Sequence, residues 1–167
     1  TPGHPDYDYF ETNIRGAENI CQFAETHGIN NIIFTSSIAP YGASEDLKTE
    51  ATLTTPNTPY GISKLTSEHI HKVWAEKGVD RKLMILRPGV VFGKGENGNF
   101  TRLARILNKG FFLFPGRKDT IKACIYVKEL VFQSWRLFIE QKSSVAIYNF
   151  AYFPSFSIKE INLQSVS

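Results

Sequence analysis

The sequence predicts an α/β fold built on a parallel sheet, and three observations carry that reading. Two short apolar runs, "NNIIFTSS" (30–37) and "KLMILRPGVVFG" (82–93), are rich in β-formers and too continuous for strands with one wet face. A helix-length segment at 59–77 separates them, so strand, helix and strand alternate as in a βαβ unit. A further helix pattern, 8–27, precedes the first run and leads directly into it.

Taken in order, residues 8–27 set Phe10, Ile14, Ala17, Ile20, Cys21 and Ala24 at helical spacing, and Gly28 is positioned as the C-terminal cap. The run 30–37 reads as a buried strand opening into a loop at its hydroxyl residues. Residues 38–58 are rich in Thr, Pro, Ser and Gly and form a long connection. Asn57 or Thr58 caps the next helix, whose first turn takes Pro59 because a missing N–H costs nothing there. The run 82–93 is a strand interrupted at Pro88. Then come a loop at 93–99, a short helix at 100–110, turn and strand material at 111–127, a helix at 128–141 and a strand at 145–150. Three strands are too few for a complete doubly wound sheet.

A chain of 167 residues that is 42% hydrophobic buries a real core. Its formal charge of +3 comes from scattered Lys and Arg with no block of like charges, which argues against a nucleic-acid partner. Cys21 and Cys124 lack metal-ligand spacing and read as buried thiols of a reducing compartment, with no metal site. No apolar run is long enough to span a bilayer, so the expected setting is cytoplasmic, without a membrane partner.

Within "NTPYGISKLTSEHI", Tyr60 and Lys64 stand one helical turn apart and share a face. The spacing alone also describes an ordinary solvated helix. Context sharpens it, because the strand ending at Ser37 delivers its hydroxyls to the carboxyl edge of a parallel sheet, where such folds bind ligands. A phenol ionises near pH 10, so using one as a base at neutral pH takes about 4 kcal/mol of differential stabilisation. A neighbouring ammonium such as Lys64 supplies an influence of that kind.

The ordered set "YFETNIRGAENI", "IIFTSSIAPYG", "TPYGISK", "LMILRPGVVFG", "IKACIYVKELV" and "AIYNF" resembles the extended short-chain dehydrogenase/reductases, specifically NAD-dependent sugar-nucleotide epimerases and dehydratases. The resemblance covers residues 7–150. It implies a partial Rossmann-type doubly wound parallel sheet with part of a small C-terminal substrate domain. On it, 1–93 is the second half of the NAD-binding domain, 94–125 a partial substrate-binding region, 126–152 a helix and strand returning to the first domain, and 153–167 the start of a substrate segment. It also implies a chain beginning near the family's fourth helix and lacking the dinucleotide fingerprint of the first strand and helix.

The resemblance assigns roles by position. Tyr60 is the general acid/base, Lys64 holds the nicotinamide ribose and lowers the tyrosine pKa, and Ser37 hydrogen-bonds the reacting sugar hydroxyl. Ser36 and Thr35 are cofactor-side or structural hydroxyls, and Pro88 and Gly89 bring backbone against the nicotinamide end. Asn13 and Lys122 join Ser37 in binding substrate, Lys122 where relatives carry an arginine on the diphosphate. The cofactor implied is NAD in preference to NADP, the substrate a nucleotide sugar and the assembly a homodimer.

Pro40, Lys94 and Glu129 depart from the family pattern, as does the residue after Asn149, but none removes a catalytic group. Gly93, Gly95 and Gly98 spell G-x-G-x-x-G with Asp119 downstream, yet Asp119 follows a turn instead of closing a parallel strand, so this is no phosphate cradle. Ile38 and Ala39 stand where the dehydratases carry an acidic pair, which favours an epimerase. The alternatives are a dehydratase, a reductase or dehydrogenase of the same family, and an inactive remnant without cofactor.

Overall fold

The structure, a computed structural model, describes residues 5–44, 46–94, 121–152 and 156–157. In chain order its elements are α1 (Asp6–Tyr9), a π-helical stretch (Phe10–Arg15), α2 (Gly16–Thr26), β1 (Asn31–Thr35), a 3-10 turn (Ala39–Tyr41), α3 (Pro59–Glu76), β2 (Lys82–Pro88), β3 (Val90–Phe92), β4 (Ile121–Lys122), β5 (Cys124–Tyr126), α4 (Val127–Glu140), β6 (Val145–Phe150) and β7 (Phe156–Ser157). They fall into two compact units, one drawn from Thr1–Pro88 and Ser134–Asn149, the other from Gly89–Gln133 and Phe150–Ser167.

The first unit holds a three-stranded sheet in the order β1-β2-β6. Asn31 lies opposite Lys82 and Thr35 opposite Leu86, so β1 and β2 run parallel as the βαβ pattern predicts. Leu83 N–H donates to Ser144 and Gly89 N–H to Phe150, and because both partners advance together β6 is parallel to β2 as well. Central β2 is covered on both faces, with Leu83, Met84 and Ile85 fully buried, and this is why its apolar run is continuous. β1 differs from the expected buried strand: Ile32 is buried but Ile33 is 38% exposed, as its place at the end of the sheet order dictates.

Helices α2 and α3 cover one sheet face, where Cys21, Ala24, Ile32, Trp74, Ala75, Leu83 and Ile85 form the core. Gly28 closes α2 with φ 63°, while Ile29 N–H reaches back to Ala24 and Gly28 N–H to Glu25, a paired cap that needs the left-handed residue. The helix predicted over 8–27 is therefore present, but its Phe10–Arg15 stretch is π-wound, a local change that hydrophobic spacing does not signal. Thr58 is the N-cap of α3, its hydroxyl accepting the Gly61 N–H at 3.0 Å, and Pro59 begins the helix.

In the second unit β3 pairs parallel with β5 and β4 antiparallel with β7. Pro88 ends β2, so the run 82–93 is interrupted there as expected and resumes as β3. Both cysteines are free and buried, and burial pushes the Cys21 thiol up to about 11. The helix expected at 100–110, together with Gly95, Gly98 and Asp119, lies outside the described residues.

Candidate active site

The site is built where β1 and β2 end together. Parallel pairing continues past the strands, with Ser36 N–H donating to Leu86 at 2.8 Å and Ile38 N–H to the Pro88 carbonyl at 3.1 Å. The chain then turns through Ala39–Tyr41, and the Ser37 hydroxyl oxygen accepts the Ala39 N–H at 3.2 Å. This turn sits on the first turn of α3, so close to Gly61 that a Cβ there would lie 2.7 Å from the Ala39 carbonyl oxygen. Ser37 and Tyr60 are thus held through adjoining residues, Ala39 on one side and Gly61 on the other.

Lys64 follows one turn later on α3. Its ammonium donates to the Thr35 carbonyl at 3.2 Å and lies 5.2 Å from the centre of the Phe34 ring. Burial lowers its pKa, and Glu68 opposes that shift only in part. The Tyr60 ring meets Tyr9 edge-on, centroids 5.6 Å apart at 63°, a contact unforeseen because Tyr9 belongs to another helix.

Asn13 lies in the π stretch. Its amide donates to Ser63 at 2.9 Å, and Ser67 donates to the Asn13 carbonyl at 2.8 Å. Ser63 in turn donates to the Tyr60 carbonyl at 2.9 Å, so Asn13 is tied to the helix that carries the pair.

Ser36 turns inward. It is 4% exposed, and its hydroxyl donates to Glu68 Oε1 at 2.6 Å. Arg87 Nε donates to the same oxygen at 2.9 Å and Arg87 Nη2 to Oε2 at 2.5 Å. Arg87 Nη1 reaches the Tyr41 hydroxyl at 2.9 Å, and that hydroxyl donates to Asn149 Oδ1 at 2.8 Å. Sequence reasoning passed over this network, although an arginine inside "LMILRP" was its signal: a charge in a buried strand requires a buried counter-charge.

The remaining positions are quickly placed. Pro88 offers its carbonyl to Ile38, as above. Gly89 opens the second unit, where the space a Cβ would need is filled by the Ala123 carbonyl. Lys122 is placed by its backbone alone, on β4. Among the described residues no group of three or more His, Cys, Asp or Glu side chains is arranged to hold a metal.

A parallel sheet whose strand end is bonded to a helix bearing Tyr60 and Lys64 is the arrangement of the short-chain dehydrogenase/reductase class. Residues 4–151 match the NAD dependent epimerase/dehydratase family, and the chain belongs to it. It is 31% identical over 155 residues to the N-acetyl-alpha-D-glucosaminyl-diphospho-ditrans,octacis-undecaprenol 4-epimerase of Escherichia coli, covering 92% of this chain and 46% of that protein. It is 34% identical over 128 residues to the UDP-glucose 4-epimerase of Vibrio cholerae, covering 74% of this chain and 38% of the relative. Among solved structures it shares the fold of MoeE5 in complex with UDP-glucose and NAD, with TM-score 0.80, 21% identity, and coverage of 92% of this chain and 53% of the other. The UDP-Glc/GlcNAc 4-epimerase from Campylobacter jejuni aligns with TM-score 0.78 and 24% identity, over 95% of this chain and 54% of that one. The chain spans 46% and 38% of the length of these two curated relatives. The partial Rossmann-type parallel sheet expected from the motifs is the fold observed.

Proposed function

We propose that this protein epimerises a nucleotide-diphosphate sugar with NAD as its bound cofactor, through a transient keto sugar. The observation that carries the reading is the bond from Lys64 to the end of β1, on the helix face that also bears Tyr60. The similarity to named 4-epimerases and the absence of an acidic pair at Ile38 and Ala39 favour epimerisation over dehydration.

The residues fit a nicotinamide cofactor. An ammonium carries three donors, and among the described residues Lys64 directs one of them to a protein acceptor, Thr35. Two donors remain for ribose hydroxyls. NAD supplies the hydride acceptor that becomes the donor later in the same cycle. Tyr60 takes the proton from the reacting sugar hydroxyl and returns it after the sugar has turned its other face. Lys64 stabilises the phenolate electrostatically. Ser37 accepts from Ala39 N–H, which leaves its own proton to donate to the sugar oxygen. Thr35 anchors Lys64 through its carbonyl, Asn13 and Ser36 act by positioning, and Pro88 lines the nicotinamide end. Gly89 and Lys122 keep only the roles that the family resemblance implies.

A homodimer is supported by the outer face of α2 and α3, where Ile20, Phe23 and Val73 are each at least half exposed beside a groove. No helix among the described residues is long and apolar enough to cross a membrane, and the two free thiols favour a cytoplasmic setting.

The test is titration of the 167-residue chain with NAD, followed by a UDP-sugar epimerisation assay. Saturable binding weakened by Lys64→Ala, and turnover without net NADH that drops roughly 10²–10⁴-fold in Tyr60→Phe, is the expected result. Net NADH accumulation would point to a dehydrogenase. Absence of saturable binding would sink the cofactor reading for this chain.

A further inference from the structure

We propose that the chain of Ser36, Glu68, Arg87, Tyr41 and Asn149, buried except at its Asn149 end, is a positioning device that fixes the Ser37 turn against the helix bearing Tyr60 and Lys64. It rests on the reading of those three residues as the reacting site.

Stability alone does not account for the network. Well-packed apolar side chains of similar volume hold a core as well as a buried ion pair does, or better, because both charges must first leave water. What the charges add is direction. The guanidinium fork accepts only one arrangement of Glu68, and every remaining donor or acceptor is then oriented in turn.

The places where the bonds land give the device its purpose. Ser36 immediately precedes Ser37, and Tyr41 ends the turn that follows it, so the Ser37 segment is pinned on both sides. Both pins lead to Glu68, one turn beyond Lys64 on α3, directly from Ser36 and through Arg87 from Tyr41. Asn149 extends the hold to the connection entering α3: its amide donates to the Lys48 carbonyl at 3.4 Å, and its N–H to Glu50 at 2.7 Å. Thr55 donates to the Tyr41 carbonyl at 3.2 Å from the far end of that connection. The carboxyl ends of β1, β2 and β6 and the middle of α3 are thereby joined through one set of hydrogen bonds.

The device is tested with Ser36→Ala and Tyr41→Phe, which each delete one hydroxyl and leave the ion pair in place. Hydrogen exchange is read at residues 36–42 and 48–52, with Leu83, Met84 and Ile85 of β2 as the internal control, and kcat and KM are measured alongside. Exchange about tenfold faster in the two segments, with β2 unchanged, is the expected result for the loss of one such hydrogen bond. A fall in kcat of about tenfold with KM and NAD affinity unchanged accompanies it, since misplacement acts on the reacting geometry and not on binding. Unchanged exchange in the segments would overturn the proposal. So would a uniform rise that includes β2, because that marks general loosening. If the unmutated chain shows no epimerisation, the functional reading fails while the exchange measurement still decides the positioning role.

Discussion

Glu68 and Arg87 face each other across the boundary between α3 and β2 through two hydrogen bonds, with side chains 0% and 3% exposed. Such a pair is strong only while it is whole. Glu68→Met or Arg87→Met leaves one charge buried without its partner and is expected to destabilise the chain by about 3–5 kcal/mol in urea unfolding. The double substitution to methionine removes both charges and is expected to cost clearly less than the sum of the single changes. Additive losses would mean that the two groups do not act as a pair.

Gly61 stands beside Tyr60 in a helix, where alanine is normally favoured by about 1 kcal/mol. Here that preference is reversed by contact. A Cβ would lie 2.7 Å from the Ala39 carbonyl oxygen and 3.1 Å from both Pro56 Cβ and Thr58 Oγ1. Gly61→Ala is expected to lose roughly 1–3 kcal/mol of stability and to lower turnover by displacing the Ser37 turn. A variant as stable and active as the original would show that the turn yields freely.

What could be read from the sequence was what repeats or terminates locally. The apolar run of β2, the Thr58 and Pro59 start of α3 and the Gly28 stop of α2 follow from rules that span a few residues. Tyr60, Lys64 and Ser37 became candidates because the βαβ order brings them to one sheet edge. Partnerships between distant residues were not legible. Nothing local tells Glu68 that its partner is Arg87, or Asn13 that its amide meets Ser63. Arg87 was the one visible clue, a charge where the pattern demanded burial.

Lys64 carries its charge at a thermodynamic cost, because burial lowers its pKa beyond what Glu68 restores. With the folded pKa below the unfolded one, the unfolded chain binds the proton more tightly. The penalty is fully present below the folded pKa and disappears as pH rises towards the ordinary lysine value of about 10.4. Lys64→Met is therefore expected to be more stable than the original chain at pH 7, by an amount that shrinks towards pH 10, while NAD binding is weakened. A variant less stable at pH 7 would mean that the bond to Thr35 outweighs the desolvation.

His71 gives the chain a sensitivity to acid. It is 2% exposed and stacked on Phe34 at 4.2 Å, with Nδ1 2.7 Å from the Ser67 carbonyl. Only a protonated Nδ1 can donate to that carbonyl, which fixes the neutral tautomer. Burial lowers its pKa, the Ser67 bond partly restores it, and the nearby Lys64 charge lowers it again. A ring buried neutral leaves the unfolded chain with the higher proton affinity, so stability is undiminished above the unfolded value of about 6.5 and falls as pH drops through it towards the folded pKa. His71→Phe keeps an aromatic ring against Phe34 but has no proton to gain. Urea unfolding between pH 7.5 and pH 5 is expected to show a smaller acid loss in the variant than in the original chain. Equal losses would assign the acid sensitivity to carboxylates instead, with His71 merely filling the core.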